Sequence, residues 1–326
     1  MVHRIDGRAS GRVVSTVVIA SLVAATAVVL VAVPAPAASP QHTTKPGLYY
    51  LSLGDSYSVG YQPGKGATSG FTGYIATKTG MRLENFGCGG ATTASIRSVV
   101  GCTPPFGPPA ATHAVSHPTV TQEQAALDFI AAHPHRVGLV TVSIGGNDVT
   151  RCGTAANTVS CVSAAVISIR TNVTALVGAL GGALSSAGDT SAKIIGLTYP
   201  DVILGDYVHP TGRPDTSLAD LSITAFDLLI NPALKAAYTS VPRGRFVNVT
   251  SAPYEKATHG DDTGSASSSH PTPKDATTVL EPYGTIPVAV WEVCELTYYC
   301  SAGNVHATTK GYLFIGSLAV AALRRS

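Results

Sequence analysis

Ser56 closes the run Leu51-Ser52-Leu53-Gly54-Asp55-Ser56, where an apolar stretch meets a turn. A serine on a strand-to-helix turn presents an exposed hydroxyl near a helix N-terminus, which suits a nucleophile. Gly-Asp-Ser also makes ordinary turns, so the tripeptide alone leaves both readings open. No Gly-x-Ser-x-Gly occurs, which excludes the strained nucleophile elbow. His306, in Asn304-Val305-His306-Ala307, is a candidate proton acceptor. Two glycine-rich stretches complete the set: Asn85 to Thr93, which contains Gly87-Cys88-Gly89-Gly90, and Gly145-Gly146-Asn147-Asp148. On residue type alone, Gly90 and Asn147 are turn residues as readily as hydrogen-bond donors.

The elements around these segments alternate. Short apolar runs predict strands at Leu48–Leu53, Arg82–Phe86, Val137–Ile144, Lys193–Thr198 and Arg245–Val249. Helical spacing marks Thr121–Ala132, Ala164–Leu184, Leu218–Tyr238 (interrupted at Asn231-Pro232) and Lys310–Leu323. Such alternation predicts an α/β fold, a five-stranded, mostly parallel sheet in a three-layer α/β/α sandwich. Functional groups in such sheets gather at the C-terminal strand ends, where Ser56, Gly90 and Asn147 stand. Thr258–Thr278, rich in Ser, Thr, Gly, Asp and Pro, reads as a long surface loop.

Taken in order, the segments around Ser56, Gly90, Asn147 and His306 resemble the four blocks of the SGNH (GDSL) hydrolase superfamily, and in particular its secreted actinobacterial esterases and lipases. The resemblance runs from Leu48 to Leu323 and implies the flavodoxin-like SGNH hydrolase fold. It implies that Ser56 attacks a carboxylic ester, that His306 takes and returns the proton, and that Ser56, Gly90 and Asn147 hold the oxyanion. It implies no metal and no organic cofactor. The expected substrate is a small-molecule or lipid ester. Two alternatives stand beside it: a carbohydrate deacetylase acting on glycans, and a catalytically impaired cell-surface binding protein.

The sequence departs from that family at the histidine. The usual Asp three residues earlier is Gly303, and Ala307 stands where Pro is common; Gly311-Tyr312 is kept. The group orienting His306 is therefore open. The Asn304 side chain or a backbone carbonyl in the Cys294–Cys300 segment is favoured, ahead of Glu292 or Glu295.

Composition bounds the rest. The chain has 326 residues, 45% hydrophobic and 12% charged, with a formal net charge of +2. That excludes a disordered chain and gives no footprint for nucleic acid. Arg4, Arg8 and Arg12 precede an apolar run from Val13 to Val33, and Ala35-Pro36-Ala37 follows as a small-x-small cleavage site. Residues 1–37 are read as a signal peptide, 38–47 as a short tail and 48–326 as the hydrolase domain. The run is long enough to span a bilayer, so the rival reading is an uncleaved anchor on the outer face of the membrane. No later run of that length is apparent, and a secreted monomer is expected. Six cysteines in an exported chain point to disulfides; their three sequence-local pairs are Cys88–Cys102, Cys152–Cys161 and Cys294–Cys300. Without a Cys-x-x-Cys, zinc is not expected. His113, His117, His133 and His135 read as solvated loop histidines, and Asp55 and Asp148 as turn or cap residues. Trp291, Tyr298 and Tyr299 are assigned equally to a substrate pocket or to the core. Asp201 receives no role.

Overall fold

Five parallel strands form the central sheet: β1 (Tyr49–Gly54), β4 (Arg82–Asn85), β5 (Val137–Ser143), β6 (Lys193–Leu197) and β7 (Gly244–Val247), in the order β4-β1-β5-β6-β7. Between β1 and β4 in sequence, β2 (Tyr61–Gln62) and β3 (Gly66–Ala67) pair as a small antiparallel hairpin. The structure, a computed structural model, describes residues 47–102, 111–208, 215–251, 277–281 and 283–325. The expected signal peptide, most of the expected tail and the loop 258–276 lie outside the described residues. Counted among themselves, the five strands run 2-1-3-4-5, the flavodoxin-like order, with its topological switch point between β1 and β5.

Alternation along the strands divides the core. Tyr49, Leu51 and Leu53 of β1 join Val140 and Val142 of β5 on one face. There they meet α4 (Gln122–Ala132), α6 (Thr158–Ser186) and α8 (Asn231–Tyr238). Tyr50 and Leu139 point to the other face, toward Phe71 and Ile75 of α2 (Gly70–Thr79) and Tyr312 and Ile315 of the closing helix Thr309–Arg324. Side chains cap several helix starts: Thr121 accepts from Gln124, Asn157 from Ser160 and Thr308 from Gly311. A third apolar cluster joins Leu204 and Val208 to Ile286, Ala289 and Val293, beside the hairpin β8 (Thr277–Leu280) and β9 (Gly284–Pro287).

Three local expectations change. The helix expected at 164–184 begins six residues earlier, at Thr158, because Asn157 caps it there. The expected interruption at Asn231-Pro232 does not occur. α7 (Thr216–Ala225) passes through a π-turn at Phe226–Ile230 into α8, whose first turn holds the proline. Pro232 follows directly on the π-turn, where the i→i−4 ladder is already shifted, so the helix tolerates its missing N–H. Finally, Thr158–Ser186 and Thr216–Tyr238 are both long and apolar enough to cross a membrane, although neither run stood out in the sequence. Ile169, Val173, Leu176 and Leu180 of α6 are fully buried against the sheet.

Candidate active site

β1 ends at the switch point in a turn that only glycine fits. Gly54 has φ +143°, and a Cβ there would lie 2.1 Å from the Ser143 carbonyl oxygen. Gln122, in the first turn of α4, clamps this residue on both sides. Its Oε1 accepts from the Gly54 N–H (2.6 Å) and its Nε2 donates to the Gly54 carbonyl (3.0 Å). Asp55 then caps the short helix α1 (Ser56–Val59), accepting from the Tyr57 N–H. The turn thus fixes Ser56 at the start of α1, half-buried.

His306 reaches Ser56 from the far end of the chain. Its Nε2 lies 2.8 Å from Ser56 Oγ. The segment holding it is anchored by Tyr57, whose hydroxyl donates to the Val305 carbonyl (2.6 Å), and by the Tyr298 N–H, which donates to His306 O. Tyr61 meets the imidazole edge-on at 4.6 Å, and the Tyr57 ring stacks at 6.1 Å. Further along, a Cβ on Gly311 would meet the Leu296 carbonyl oxygen at 2.0 Å, so the glycine lets the closing helix pack.

Asn304 Oδ1 lies 2.7 Å from His306 Nδ1 and accepts from the His306 backbone N–H at 3.1 Å. An oxygen that already accepts there cannot donate to Nδ1, so Nδ1 carries the proton and donates. Nε2 is then left with its lone pair facing the serine hydroxyl. Neither glutamate hydrogen-bonds His306 among the described residues; Glu295 instead pairs with Lys310 at 3.1 Å on the surface. Burial pulls the His306 pKa down to about 4, which keeps the ring neutral.

The oxyanion candidates sit on either side of β1. Gly90 has φ +76°, in a turn after β4 whose Cys88 N–H donates to the Gly54 carbonyl. Asn147 lies in the short helix α5 (Gly146–Thr150) after β5, and its Nδ2 donates to the Ala91 carbonyl at 2.9 Å. The adjacent Asp148 accepts from both the N–H and the hydroxyl of Thr93 (2.9 and 2.7 Å). Two neighbouring residues of α5 therefore hold the Gly90 turn in place.

Asp55 is fully buried, and the loss of water raises its pKa to about 7 against the hydrogen bond from Tyr199. The Tyr199 hydroxyl donates to Asp55 Oδ2 at 2.6 Å, and Asn147 Nδ2 lies 3.4 Å from the same oxygen. Tyr199 carried no sequence signal beyond its place at a strand end, and Gln122 carried none.

A cavity of about 280 Å³ opens beside Ser56 and Asn147, walled mainly by Val149, Val162, Leu221, Phe226, Leu229 and Ile230. Trp291, Tyr298 and Tyr299 are not among its walls. Trp291 packs in the third cluster, the Tyr298 hydroxyl donates to Gln62, and the Tyr299 hydroxyl donates to Asp206.

All three local cysteine pairs are disulfide-bonded. His117, expected in solvent, is buried, with Nε2 3.1 Å from the Phe86 carbonyl. The Cys88 and Cys102 sulfurs close by are bonded to each other and offer no thiolate.

Residues 52–274 match the model of the GDSL-like Lipase/Acylhydrolase family, and the chain belongs to that family. His306 lies beyond the matched stretch. Similar solved structures include the lipase Lip_vut3 from a goat rumen metagenome, 17% identical over 84% of this chain and 97% of that one, TM-score 0.47. Another is a catalytic mutant of Axe2, an acetylxylan esterase from Geobacillus stearothermophilus, 14% identical over 86% and 95%, TM-score 0.42. A third is a GDSL-like lipase from Bacteroides thetaiotaomicron, 14% identical over 85% and 88%, TM-score 0.35. No curated protein matches the chain.

Proposed function

We propose that the protein is an exported serine hydrolase that cleaves carboxylic esters through an acyl-serine intermediate. The observation that carries this reading is the 2.8 Å contact between Ser56 Oγ and a His306 Nε2 whose partner nitrogen is fixed by Asn304. In the first step, Ser56 Oγ bonds to the ester carbonyl carbon as its proton passes to His306 Nε2. The oxyanion is held by the Ser56 and Gly90 N–H groups and the Asn147 amide. Collapse breaks the bond to the alcohol oxygen, which leaves with the proton from His306. Water repeats the sequence on the acyl-serine, with His306 again taking and returning the proton.

The cavity supports an acyl group larger than acetyl. A dry cavity of about 150 Å³ admits benzene, six carbons. A cavity of about 280 Å³ scales to roughly ten carbons by the same measure. That favours a lipid or medium-chain ester over a sugar acetate. Three disulfides support export.

The test is hydrolysis of p-nitrophenyl esters from two to sixteen acyl carbons by the oxidised protein beside Ser56→Ala. Turnover that peaks at medium chain length and vanishes in the variant is expected. Activity confined to acetylated sugars would replace this reading with a deacetylase. A folded protein that neither turns over nor reacts with an organophosphate would be a binding protein.

A further inference from the structure

We propose that the outer faces of α6 and of the α7–α8 helix form a lipid-adsorbing surface that feeds the cavity from a neutral lipid–water interface. The inference rests on the ester-hydrolase reading above and adds where the substrate is met.

A helix on the surface of a globular domain turns its polar side to water. These two adjacent helices set large apolar residues among the exposed serines and threonines of that side. Their outer sides carry Val159, Ile167, Leu221, Leu228 and Leu229, with Val159, Ile167 and Leu228 61%, 68% and 69% exposed. The two helices meet at Val162, Val166 and Ala225, which pack in one cluster. Val159, Leu221 and Leu229 border the cavity beside this seam, and Ile167 and Leu228 stand further out on the same two helices. Several large apolar side chains exposed around one cavity mark a binding face.

Three of these residues have a second role. Val159, Leu221 and Leu229, 61%, 40% and 40% exposed, also line the cavity that reaches Ser56. The outer apolar surface and the inner wall are thus one continuous surface. A second protein covering this seam would seal the mouth through which an ester must enter. A lipid layer covers the same residues and supplies acyl chains at that mouth. The π-turn at Phe226–Ile230 serves the arrangement: Ile230 is buried in the core and Phe226 lines the cavity, while Leu228 and Leu229 between them face out.

Charge selects the kind of lipid. α6 carries a single charged residue, Arg170, in 29 residues, and α7–α8 carries Asp220, Asp227 and Lys235. No cluster of Lys and Arg is present to favour an anionic headgroup. The surface fits a neutral or zwitterionic interface, bound through apolar insertion.

The test separates adsorption from turnover. Ser56→Ala protein is mixed with phosphatidylcholine vesicles and floated on a density gradient, beside the same protein carrying Ile167→Ser and Leu228→Ser. Neither added residue lines the cavity. The parent is expected to float with the vesicles, and the added substitutions to cut its partitioning more than tenfold. In the background with Ser56 intact, the paired substitutions should leave kcat/KM on dissolved p-nitrophenyl butyrate and the melting temperature unchanged. Equal partitioning of both proteins, or none by the parent, overturns the inference. So does a dimer of the parent that the substitutions dissociate without altering vesicle binding. Loss of turnover on every dissolved ester alongside intact, substitution-sensitive flotation would overturn the esterase reading and leave the surface standing.

Discussion

The Tyr199 hydroxyl hydrogen-bonds Asp55 Oδ2 at 2.6 Å, and that oxygen lies 3.4 Å from the amide nitrogen of Asn147. The strand end after β6 is thereby linked to Asn147, the proposed oxyanion donor, through a carboxyl with no access to water. Tyr199→Phe removes the donor and leaves the buried oxygen short of a partner. Stability is expected to fall by about 1–3 kcal/mol in urea denaturation. Because the link acts on a transition-state contact, kcat should fall with KM nearly unchanged. An equal rise in KM with kcat preserved would assign Tyr199 to the cavity wall instead.

Asn304 should act on the histidine alone. Asn304→Ala removes the acceptor at Nδ1 and frees the ring to adopt the wrong tautomer, an error that costs about 10⁴ in kcat in a serine protease. A smaller loss, of about 10²-fold, is expected here, since the removed acceptor is neutral. Asn304→Asp should restore much of the rate. It should also shift the acid limb of the pH profile upward, because an added carboxylate favours imidazolium. A rescued rate with an unmoved limb would mean that Asn304 only packs the loop.

The pH dependence of the wild type follows from His306. Its folded pKa is about 4, so the base is free of its proton above that value. Activity on a dissolved ester should rise through about pH 4 and stay level toward neutrality. An acid limb centred near the ordinary histidine value of about 6.5 would show that water reaches the ring in solution.

Stability should run the other way with pH. Asp201 is buried and accepts from Ser222, and its pKa is raised to about 7, chiefly by burial and further by Asp227 and Asp206. Its folded form holds the proton more tightly than its unfolded form. The contribution is therefore complete below about pH 4 and lost as pH rises through 7, at up to about 1.4 kcal/mol per pH unit. Asp55 adds to this slope, while His306, with its lowered pKa, opposes it between about 4 and 6.5. Asp201→Asn keeps the acceptor and removes the titration. Its unfolding free energy should therefore fall less between pH 5 and 8 than that of the wild type. Parallel curves would refute the assignment.

The sheet was legible because a parallel strand buried on both faces must be apolar throughout, as in the fully buried runs of β1 and β5. The segments of Ser56 and Asn147 were legible because each follows such a strand, whereas the Gly90 turn follows the half-exposed edge strand β4 and was marked by its glycines alone. The clamp on Gly54 was not, since Gln122 is 68 residues away in sequence and reads as an ordinary helix-start glutamine. Asn304 was named among several orienters, and only its geometry separates it from Glu292 and Glu295. His117 was misread because it stands in a polar stretch with His113, His133 and His135 nearby and no carboxylate or cysteine at ligand spacing, which looks solvated. Its burial depends on the Cys88–Cys102 bond and on the Phe86 carbonyl, both remote in the chain.

Ser56 and His306 are 250 residues apart in sequence. At a synthesis rate of about 5–20 residues per second, roughly 10–50 s pass between the making of the serine and of its base. Until the C-terminal segment docks, Ser56 has no imidazole beside it. On the proposed mechanism, the separation ties the pairing of nucleophile and base to completion of the long-range fold.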